Sequence, residues 1–439
     1  MNNNFEQQFS VSFGDELLPN IPKIQCNSPI CTLPGTSTEG AKVSLPLSNE
    51  TLSKHIMLLG GIGTGKTNAF FHIISQLFSS LSSDDISIVF DTKGDFYKEF
   101  YRPGDIVISN DETATGPDGA NYWNIFNEIQ PGDRQLESVI EISKSLFSEA
   151  CEKTNQIFFP NAAKDIFMAI LLHFIRTVPV EHHNNKNLIE FINYCTASDI
   201  KAVLSSHNDL KAMGSYISND DSPQTQGVLS ELQQVVREIF IGNFAKKGDL
   251  SLKDLVKNKG GKRVFIEYDL SIGRMLSPIY SLMFDLAIKE ALSRNRSEGN
   301  VYFITDEFKL LPHLSHIDDA VNFGRSLGIK FMIGIQNVEQ IYENYGEERA
   351  RSIMSGFLTN ISFRVNDAKS REYIQGIYGK NRKTEVYMPI LRSRGITQNE
   401  RDGNVVEDWD ITGLQVGEAI IGLPGYEPFK FKFERYKEK

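Results

Sequence analysis

Residues 55–78 read HIMLLGGIGTGKTNAFFHIISQLF, and this stretch decides the fold. An apolar run ends in a glycine-rich turn, and apolar residues after the turn recur at helical spacing. The stretch therefore predicts a strand, a loop and a helix, in that order. Within it, residues 60–67 (GGIGTGKT) fit the phosphate-binding pattern G-x-x-x-x-G-K-[ST] without a mismatch, in the context that the pattern requires. A glycine-rich turn without a ligand is the alternative, which this context disfavours.

The chemistry of this pattern gives each residue type a task. Glycines let backbone N–H groups close around phosphate oxygens, and the helix N-terminus adds its dipole. Lys66 is expected to reach the β and γ phosphates, and the Thr67 hydroxyl to bind Mg²⁺. The expected ligands are thus ATP and Mg²⁺. The predicted nucleotide-binding residues are Gly60, Gly61, Ile62, Gly63, Thr64, Gly65, Lys66, Thr67 and Asn68.

Further short apolar segments predict more strands of the same sheet. Continuous apolar strands that alternate with helices are typical of a parallel sheet covered on both faces. The sequence therefore predicts an α/β fold with a central, mainly parallel sheet. The predicted strands lie at residues 86–91, 264–269, 301–307, 330–336 and 361–365.

The spacing of these strands predicts an inserted domain. About 170 residues separate the second strand from the third, which is too long for one crossover helix. The C-terminal segments AIIGLPG and FKFKFERY alternate in a way that predicts a closing edge hairpin. The predicted divisions are a strand-poor N-terminal arm (1–40), the nucleotide-binding domain in two parts (41–179 and 226–439) and a small all-helical insertion (180–225).

Two acidic residues follow the strand at 301–307, VYFITDE. A phosphate-binding loop needs an acidic partner at a strand end, so Asp306 is predicted to serve the metal and Glu307 to act as general base. A solvated acidic pair is the alternative. Gln336 ends the next strand, where its amide could bind both the γ phosphate and the attacking water, and an ordinary capping glutamine is the alternative.

Arg325, in the segment NFGRSLG, lies on a predicted helix that ends near Gly328. An arginine there cannot easily reach the γ phosphate of its own subunit, so we expect a finger supplied in trans to a neighbour. A surface arginine is the alternative, and three other arginines compete for the role: Arg349, Arg351 and Arg364.

The overall charge limits the classes of partner. The 439 residues contain 46 Lys and Arg against 56 Asp and Glu, a net charge of -10, which opposes a surface that is basic all over. A basic groove remains compatible with that sum. Residues 380–401 form a basic patch that predicts either phosphate contacts or a solvated hairpin. Its cations are Lys380, Arg382, Lys383, Arg392, Arg394 and Arg401.

The remaining polar features of the sequence say less about function. The turn at residues 91–95 (DTKGD) either lines the nucleotide site or simply ends a strand. The four cysteines show no metal spacing, and neither a signal peptide nor a transmembrane helix is recognised, so we expect reduced thiols and a cytoplasmic protein. Peripheral attachment to the inner membrane through a partner is the alternative.

Several longer segments of the sequence form a recognisable series. They are HIMLLGGIGTGKT, VFDTKGDFYKEFYRPGDIVI leading into YWNIFNEI, FITDEFKLLPHL, AVNFGRSLG, IGIQNVEQIYENYG and LQVGEAIIGLPG. Together with the helical insertion, they resemble the conjugative coupling proteins of type IV secretion (the TraD, TraG and TrwB type), in the FtsK/HerA branch of RecA-like motors. The resemblance covers about residues 45–433, and the order and approximate spacing of the segments match as well.

This resemblance implies a RecA-like hexameric ring with ATP sites between subunits, DNA in a central channel and an all-helical domain at the channel mouth. It assigns the acidic pair to Asp306 and Glu307, the sensor to Gln336 and the trans finger to Arg325. Family members usually carry N-terminal transmembrane helices, whereas this chain begins with a polar arm. The expected contexts are therefore a soluble relative on a mobile element, a partner of a separate membrane subunit, or a DNA motor in a defence system.

The function expected from these features is an ATP-driven, ring-forming DNA translocase, with the strandedness of the DNA left open. A relaxase, a secretion channel or an effector is the expected protein partner. Two alternatives remain: a protein-translocating secretion ATPase, and a nucleotide-gated ATPase that recruits a partner, for example in phage defence. Salt-dependent DNA stimulation of the ATPase would separate the DNA translocase from the protein translocase, because only phosphate contacts release counterions.

Overall fold

The computed structural model describes residues 8–110, 122–293, 298–387 and 397–438. The chain divides into two compact units, and each is built from separate stretches of sequence. The first unit contains Met1–Ser80, Thr305–Lys309 and Lys330–Lys439, and the second contains Leu81–Ile304 and Leu310–Ile329.

The strands follow the apolar runs of the sequence. In chain order within the described residues they are β1 (Gln8–Phe13), β2 (Pro29–Thr36), β3 (Lys42–Ser48), β4 (Ile56–Leu59), β5 (Ile86–Asp91), β6 (Ile106–Ile108), β7 (Lys262–Glu267), β8 (Val301–Thr305), β9 (Ile329–Ile335), β10 (Thr359–Phe363), β11 (Lys380–Tyr387), β12 (Thr397–Asn404), β13 (Glu418–Gly422) and β14 (Phe429–Phe433).

The α-helices of the described residues alternate with these strands. They are α1 (Asn49–Ser53), α2 (Lys66–Ser80), α3 (Asp95–Phe100), α4 (Gln135–Glu152), α5 (Phe158–Thr177), α6 (Asn185–Tyr194), α7 (Ala197–Ser205), α8 (Pro223–Ile239), α9 (Leu252–Asn258), α10 (Gly273–Ala291), α11 (Ile317–Phe323), α12 (Glu339–Tyr345), α13 (Glu347–Ser355), α14 (Ala368–Tyr378) and α15 (Asp408–Thr412).

The first unit contains a parallel core that continues into antiparallel strands. Its strands lie in the order β3-β2-β14-β13-β10-β4-β9. Strand β4 runs parallel to both β9 and β10, whereas β13, β14, β2 and β3 pair antiparallel with their neighbours. A separate antiparallel sheet contains β1, β11 and β12. The phosphate turn therefore follows the central strand of three parallel strands.

The second unit contains the strand order β8-β5-β7-β6, in which β7 runs parallel to β5 and to β6. Strands β5 and β8 are buried along their whole length, as are β4, β9 and β10 in the first unit. Burial on both faces explains why these strands are continuously apolar instead of alternating. The predicted α/β class with a mainly parallel sheet is confirmed.

A long run of helices, α4 to α9, lies between β6 and β7, as the spacing of the sequence requires. Helix α7 begins with a capping box in which Thr196 and Asp199 each bond the backbone of the other. Helix α8 is capped at its start by Ser222, whose side chain accepts from the Thr225 N–H. The inserted helices are confirmed, while their separation as a domain at 180–225 stays a prediction.

The N-terminal arm differs from the expectation that it would be poor in strands. Strands β1 and β2 lie there, and β2 pairs with β14 on one side and β3 on the other. Pro34 and Gly35 made the segment look irregular, since both residues weaken strands. Pro34 has no N–H to donate, and its carbonyl oxygen accepts the Glu434 N–H at 3.0 Å. Gly35 has no side chain, so the Phe431 ring can pack against its backbone.

The C-terminal hairpin of β13 and β14 is present, but it does not close the sheet. Strand β14 has a second neighbour, β2, so the edge position belongs to β3. The alternating pattern of FKFKF reports one buried and one open face, which an interior strand of an antiparallel region shares with an edge strand.

Helix α5 is the one helix of the described chain that is long and apolar enough to cross a membrane, with a mean hydropathy of 1.3. More than half of that stretch, 56%, is buried inside the fold. Within its unit α5 packs against α4 and α8, as a core helix does.

Candidate nucleotide site

The phosphate turn follows β4 and leads into α2, as the sequence predicts. Gly63 and Gly65 have φ angles of 73° and 117°, which L side chains rarely adopt. The Gly60 N–H donates to the Ile335 carbonyl oxygen at 3.1 Å, and the Gly61 N–H to the Arg364 carbonyl oxygen at 2.9 Å. The start of the turn is therefore fixed by the strands on either side of β4.

Close packing explains two of the glycines. A Cβ atom at Gly60 would lie 2.6 Å from the Cβ of Phe363, and one at Gly65 would lie 3.1 Å from the Cα of Gly417. Phe363, at the end of β10, and Gly417, just before β13, therefore lie against the turn. The two glycines are needed because the Phe363 side chain and the Gly417 backbone occupy the space that a Cβ atom would need.

Lys66 is half-buried and its ammonium group lies over the turn. It donates to the carbonyl oxygens of Gly60 and Gly61, at 3.0 Å in the second case. Thr64 is buried and its hydroxyl donates to the Gly61 carbonyl oxygen at 2.8 Å. The first turn of α2 contains no acidic residue, so the N-terminal partial positive charge of that helix is not neutralised locally.

The acidic pair follows β8 and lies beside the end of β9. A Cβ atom at Gly334 would be only 2.3 Å from the Asp306 carbonyl oxygen, so the two backbones approach as closely as glycine permits. Asp306 is buried and Glu307 is half-buried. This approach brings the acidic residues to the same strand end as Gln336.

Gln336 and Glu307 are in direct contact. The Gln336 Nε2 donates to the Glu307 Oε2 at 2.5 Å, and the Lys309 ammonium lies 3.9 Å from Glu307 Oε1. Lys309 is itself fixed, since its carbonyl oxygen accepts from the Asn344 side chain at 2.7 Å. Because Gly60 bonds the residue before Gln336, the turn, the acidic pair and Gln336 form one contiguous cluster.

Asn68 is among the residues predicted to bind nucleotide, but its side chain bonds the segment that follows β14. Its amide bonds the backbone of Glu434 and Tyr436, at 3.0 and 2.7 Å. The backbone N–H of Asn68 still belongs to the first turn of α2. A role for Asn68 in binding nucleotide stays a prediction.

Arg325 lies in the second unit, in a 3-10 turn (Gly324–Leu327) after α11, and is exposed. Gly328 ends the turn with a φ of 77°, at the residue where the sequence places the helix end. The trans role of Arg325 stays a prediction.

The competing arginines have different surroundings. The Arg349 guanidinium lies 5.1 Å from the centre of the Tyr345 ring, and Arg351 bonds Glu347 at 2.6 Å. Arg364 is exposed and directly follows β10, where its carbonyl oxygen holds Gly61. Of these three, Arg364 is thus bonded through its own backbone to the phosphate turn of the same chain.

In the turn at residues 91–95, the side chain of Asp91 bonds backbone N–H groups of the turn and of the helix that follows. The buried Asp91 carboxylate accepts the Tyr97 N–H at 2.8 Å and the Lys93 N–H at 3.3 Å, and so it caps the start of α3. Burial raises the pKa of Asp91, although these N–H groups act in the opposite direction. The geometry fits the interpretation that this turn ends a strand.

The basic patch lies on β11 and β12. Lys383 is bound to Glu407 at 2.7 Å and Arg382 lies 3.5 Å from Asp402, so part of its charge is compensated. Lys380 and Arg401 are exposed. Two further predicted cations, Arg392 and Arg394, lie outside the described residues.

A second group of titratable residues lies among helices of the second unit. The two ring nitrogens of His316 face carboxylates, Asp285 at 3.0 Å and Glu141 at 3.4 Å, and Lys289 also bonds Glu141. Burial alone would lower the pKa of His316, but the hydrogen bond to Asp285 and the charges of both acids outweigh it and raise that pKa. Lys289 and the His316 ring bond the two acids, so the cluster links α4, α10 and the start of α11.

Sequence reasoning missed how the backbones of three residues shape the site: Gly334, Gly417 and Arg364, the last of which was considered only as a competing finger. Each acts through its backbone, which gives a sequence no chemical signal. Only the position of Gly334 inside an apolar strand, where glycine marks a close backbone approach, could have singled it out.

Comparisons with known proteins agree with this geometry. Residues 39–407 match the family described as "Type IV secretion-system coupling protein DNA-binding domain". The coupling protein TraD of Escherichia coli K12 is 24% identical over 406 residues, which cover 88% of this chain and 53% of that protein. The type IV secretion system-coupling protein VirD4 of Bartonella henselae is 21% identical over 329 residues, 70% of this chain and 50% of that one. The chain therefore spans about half the length of these curated relatives.

Solved structures share the fold. The bacterial conjugative coupling protein TrwBΔN70, in its unbound form, matches with a TM-score of 0.72 at 18% identity, over 92% of this chain and 89% of that one. The plasmid coupling protein TrwB in complex with ADP and Mg²⁺ matches with a TM-score of 0.72 at 17% identity, over 100% and 97%. These matches confirm the predicted RecA-like α/β fold with inserted helices. Because the family match covers most of the sequence, the chain belongs to the family of type IV secretion-system coupling protein DNA-binding domains.

Proposed function

We propose that the chain is an ATP-driven DNA translocase that works as a hexameric ring and hydrolyses ATP at subunit interfaces. One observation carries the proposal: the phosphate turn, Asp306, Glu307 and Gln336 converge within one compact unit. The family assignment and the TrwB complex with ADP and Mg²⁺ support it.

The phosphate turn suits a nucleotide because its backbone is already folded for one. Two glycines in left-handed conformations turn successive N–H groups toward one side, and the helix N-terminus adds a partial positive charge. The Lys66 ammonium lies over the same turn and would exchange its bonds to two carbonyl oxygens for phosphate oxygens. The turn and Lys66 thus bind and orient the phosphates.

The residues present fit a magnesium ion. The Thr67 hydroxyl and the Asp306 carboxylate are oxygen donors, which Mg²⁺ prefers. A bound Mg²⁺ would neutralise the charge that develops on the β and γ phosphates. The close approach of Asp306 to Gly334 fixes the backbone of the acidic residue and so limits where its carboxylate can lie.

Glu307 would accept the proton of the attacking water. Its carboxylate is oriented by the Gln336 amide on one oxygen and by the Lys309 charge near the other. A fixed carboxylate is an effective general base when the water lies within hydrogen-bond distance. Because Gln336 follows β9 at the phosphate turn, its amide would also sense the state of the γ phosphate.

The DNA and protein partners follow from the family and from the basic patch. The exposed cations of β11 and β12, such as Lys380 and Arg401, would contact DNA phosphates. The protein partner in this proposal is a relaxase, a secretion channel or an effector. A cytoplasmic location, with attachment to the inner membrane through a partner, completes the proposal.

The experiment is the ATPase rate measured against protein concentration, with single- or double-stranded DNA and without DNA, together with mass by light scattering. We expect a rate that rises with concentration and with DNA, at a mass near six chains, and a DNA effect that falls steeply with salt. A slow, DNA-indifferent rate from a monomer would contradict the motor and favour nucleotide-gated recruitment.

The trans role of Arg325 has its own test in mixed subunits. Arg325→Ala should slow turnover by about 10³-fold with nucleotide affinity unchanged. Mixing that variant with Lys66→Ala should restore part of the activity, because some interfaces then combine an intact turn with an intact arginine. Mixtures without any recovery, or a normal rate for Arg325→Ala in an assembled ring, would assign the finger to another arginine. Arg351→Ala tests a competing arginine, whose guanidinium is bound to Glu347.

A further inference from the structure

Residues 434–437, which follow β14, run along the first two turns of α2. The Asn68 side chain holds them: its Nδ2 donates to the Glu434 carbonyl oxygen at 3.0 Å, and its Oδ1 accepts the Tyr436 N–H at 2.7 Å. One side-chain amide thus pairs with a carbonyl and an N–H two residues apart, as a neighbouring strand would.

The next turn of α2 adds further contacts on the same face. The His72 Nε2 lies 2.9 Å from the Glu434 carbonyl oxygen. The Tyr436 ring packs edge-on against the rings of Phe71 and His72, at 5.3 Å between centres in each case. These contacts fix the segment against the helix over about one helical turn.

The phosphate turn is also bonded to the start of this segment. The Thr64 carbonyl oxygen accepts the Gly417 N–H at 2.9 Å, and the Gly417 carbonyl oxygen accepts the Phe433 N–H at 2.8 Å. The segment is therefore tied to the turn at two points, through Gly417 before it begins and through Asn68 along its length.

The location of the second tie gives it a consequence for nucleotide binding. Asn68 lies in the first turn of α2, where unpaired backbone N–H groups bind phosphate oxygens. A nucleotide whose phosphates bind at this helix N-terminus would carry its sugar and base beyond them, and the segment hydrogen-bonded to Asn68 lies at the same helix N-terminus. Its Arg435 and Lys437 are exposed.

We propose that residues 434–437 form a strap that borders the nucleoside side of the phosphate turn, and that Asn68 is the positioning residue that sets it. The inference rests on the nucleotide site proposed above and concerns the affinity for the nucleotide. Asn68 does not take part in the chemical step.

Helix α2 offers a matched control in Gln76. Its side-chain amide makes the same two-way bridge to a backbone, accepting the Thr32 N–H and donating to the Thr32 carbonyl oxygen, both at 2.9 Å. Gln76 lies more than two turns from the phosphate turn. Gln76→Ala and Asn68→Ala therefore remove equivalent bonds from one helix, but only the second releases the strap.

The first measurement is nucleotide binding and turnover in the full chain. Asn68→Ala should raise the Kd for a fluorescent ADP with Mg²⁺ and the KM for ATP by about 3- to 10-fold, as expected for a lost neutral hydrogen bond. Its kcat should stay within about twofold of the unsubstituted chain. Gln76→Ala should change neither constant. Equal shifts in both variants, or a selective fall of kcat in Asn68→Ala, would overturn the positioning role.

The second measurement follows the strap itself by tryptic cleavage after Arg435 and Lys437, read by mass spectrometry. Without nucleotide, cleavage should be faster in Asn68→Ala than in Gln76→Ala. ADP with Mg²⁺ should slow it in the unsubstituted chain but not in Lys66→Ala. Equal cleavage rates in Asn68→Ala and Gln76→Ala without nucleotide would overturn the strap. A chain that binds no nucleotide at all would instead overturn the proposed function, while the nucleotide-free comparison still tests the strap.

Discussion

Two clusters in this molecule have almost the same composition and opposite characters. The strand-end cluster contains Lys66, Asp306, Glu307 and Gln336, and the helix charge cluster contains Glu141, Asp285, Lys289 and His316. Each has two acids, one lysine and one further polar side chain.

The difference lies in which elements hold the side chains. In the helix charge cluster, α4, α10 and the residue before α11 bring Lys289 and His316 into direct contact with the two acids. In the strand-end cluster, Glu307 accepts from the neutral Gln336 amide on one oxygen, and the Lys309 charge lies 3.9 Å from the other. The comparison teaches that the two clusters differ in the direct partners of their acids: a neutral amide in the strand-end cluster, and basic side chains in the helix charge cluster.

The largest expected difference between the clusters concerns their glutamates. Glu307→Gln should lower ATP turnover by about 10²- to 10⁴-fold, because the general base is lost, while nucleotide binding remains. Glu141→Gln is the control and should leave turnover within about twofold. Steady-state ATPase and equilibrium nucleotide binding measure both. Normal turnover by Glu307→Gln would place the base elsewhere.

The lysines should differ next. Lys66→Ala should abolish measurable nucleotide binding and lower turnover by about 10²- to 10³-fold, because the positive charge that binds the phosphates is lost. Lys289→Ala should keep nucleotide binding but lower the free energy of unfolding by about 1.5–3 kcal/mol, since its bonds to Glu141 and Glu137 are charge-assisted. Nucleotide titration and urea denaturation separate the two. Measurable ATP affinity in Lys66→Ala would contradict the assignment.

The close approach of β9 to the acidic pair gives a smaller effect. Gly334→Ala forces a Cβ to within 2.3 Å of the Asp306 carbonyl oxygen, so the strands must shift, at a cost of about 1–3 kcal/mol in unfolding free energy. Turnover should fall as well, because Glu307 moves with the backbone. The control is Gly376→Ala, where a Cβ meets open space in a helix and should raise stability by up to about 1 kcal/mol. Equal unfolding free energies and equal turnover in the two variants would show that the close approach of β9 to Asp306 does not constrain the site.

The smallest effect is a pH dependence confined to the helix charge cluster. The pKa of His316 is raised in the folded chain above its ordinary value of 6.5, so the folded state holds the proton more tightly than the unfolded state. This contribution to stability is complete below pH 6.5 and is lost as the pH rises through the raised pKa. Urea denaturation across this range should show the decline in the unsubstituted chain and a weaker decline in His316→Gln. An equal decline of unfolding free energy with pH in both chains would show that protonation of His316 does not stabilise the cluster.

Local patterns predicted much of the fold because their causes are local. The buried strands at residues 86–91 and 330–336 lie within a residue of their predicted bounds, since continuous apolar runs have few other ways to be buried. The helix α2 and its turn follow from the same 24-residue stretch. Strand β2 was missed because its proline and glycine resemble loop residues until the pairing with β14 is known.

The candidate site divides in the same way. Residue types and spacing were enough to select Lys66, Asp306, Glu307 and Gln336, because each belongs to a chemical task at a strand end. The contact of Gln336 with Glu307 and the bonds of Asn68 to Glu434 and Tyr436 depend on residues 29 to 368 positions apart. No local pattern reports such distances.

By itself, therefore, the sequence determined the phosphate turn, the acidic pair, the parallel strands and the inserted helices. Each follows from hydrogen bonding and burial within one short segment. Only the tertiary structure decided that Gly334 lets the acids approach, that Asn68 holds the end of the chain and that the acids near His316 are compensated. Those outcomes are set by which distant segments pack together, because a backbone or an amide can bond only the neighbour that the fold supplies.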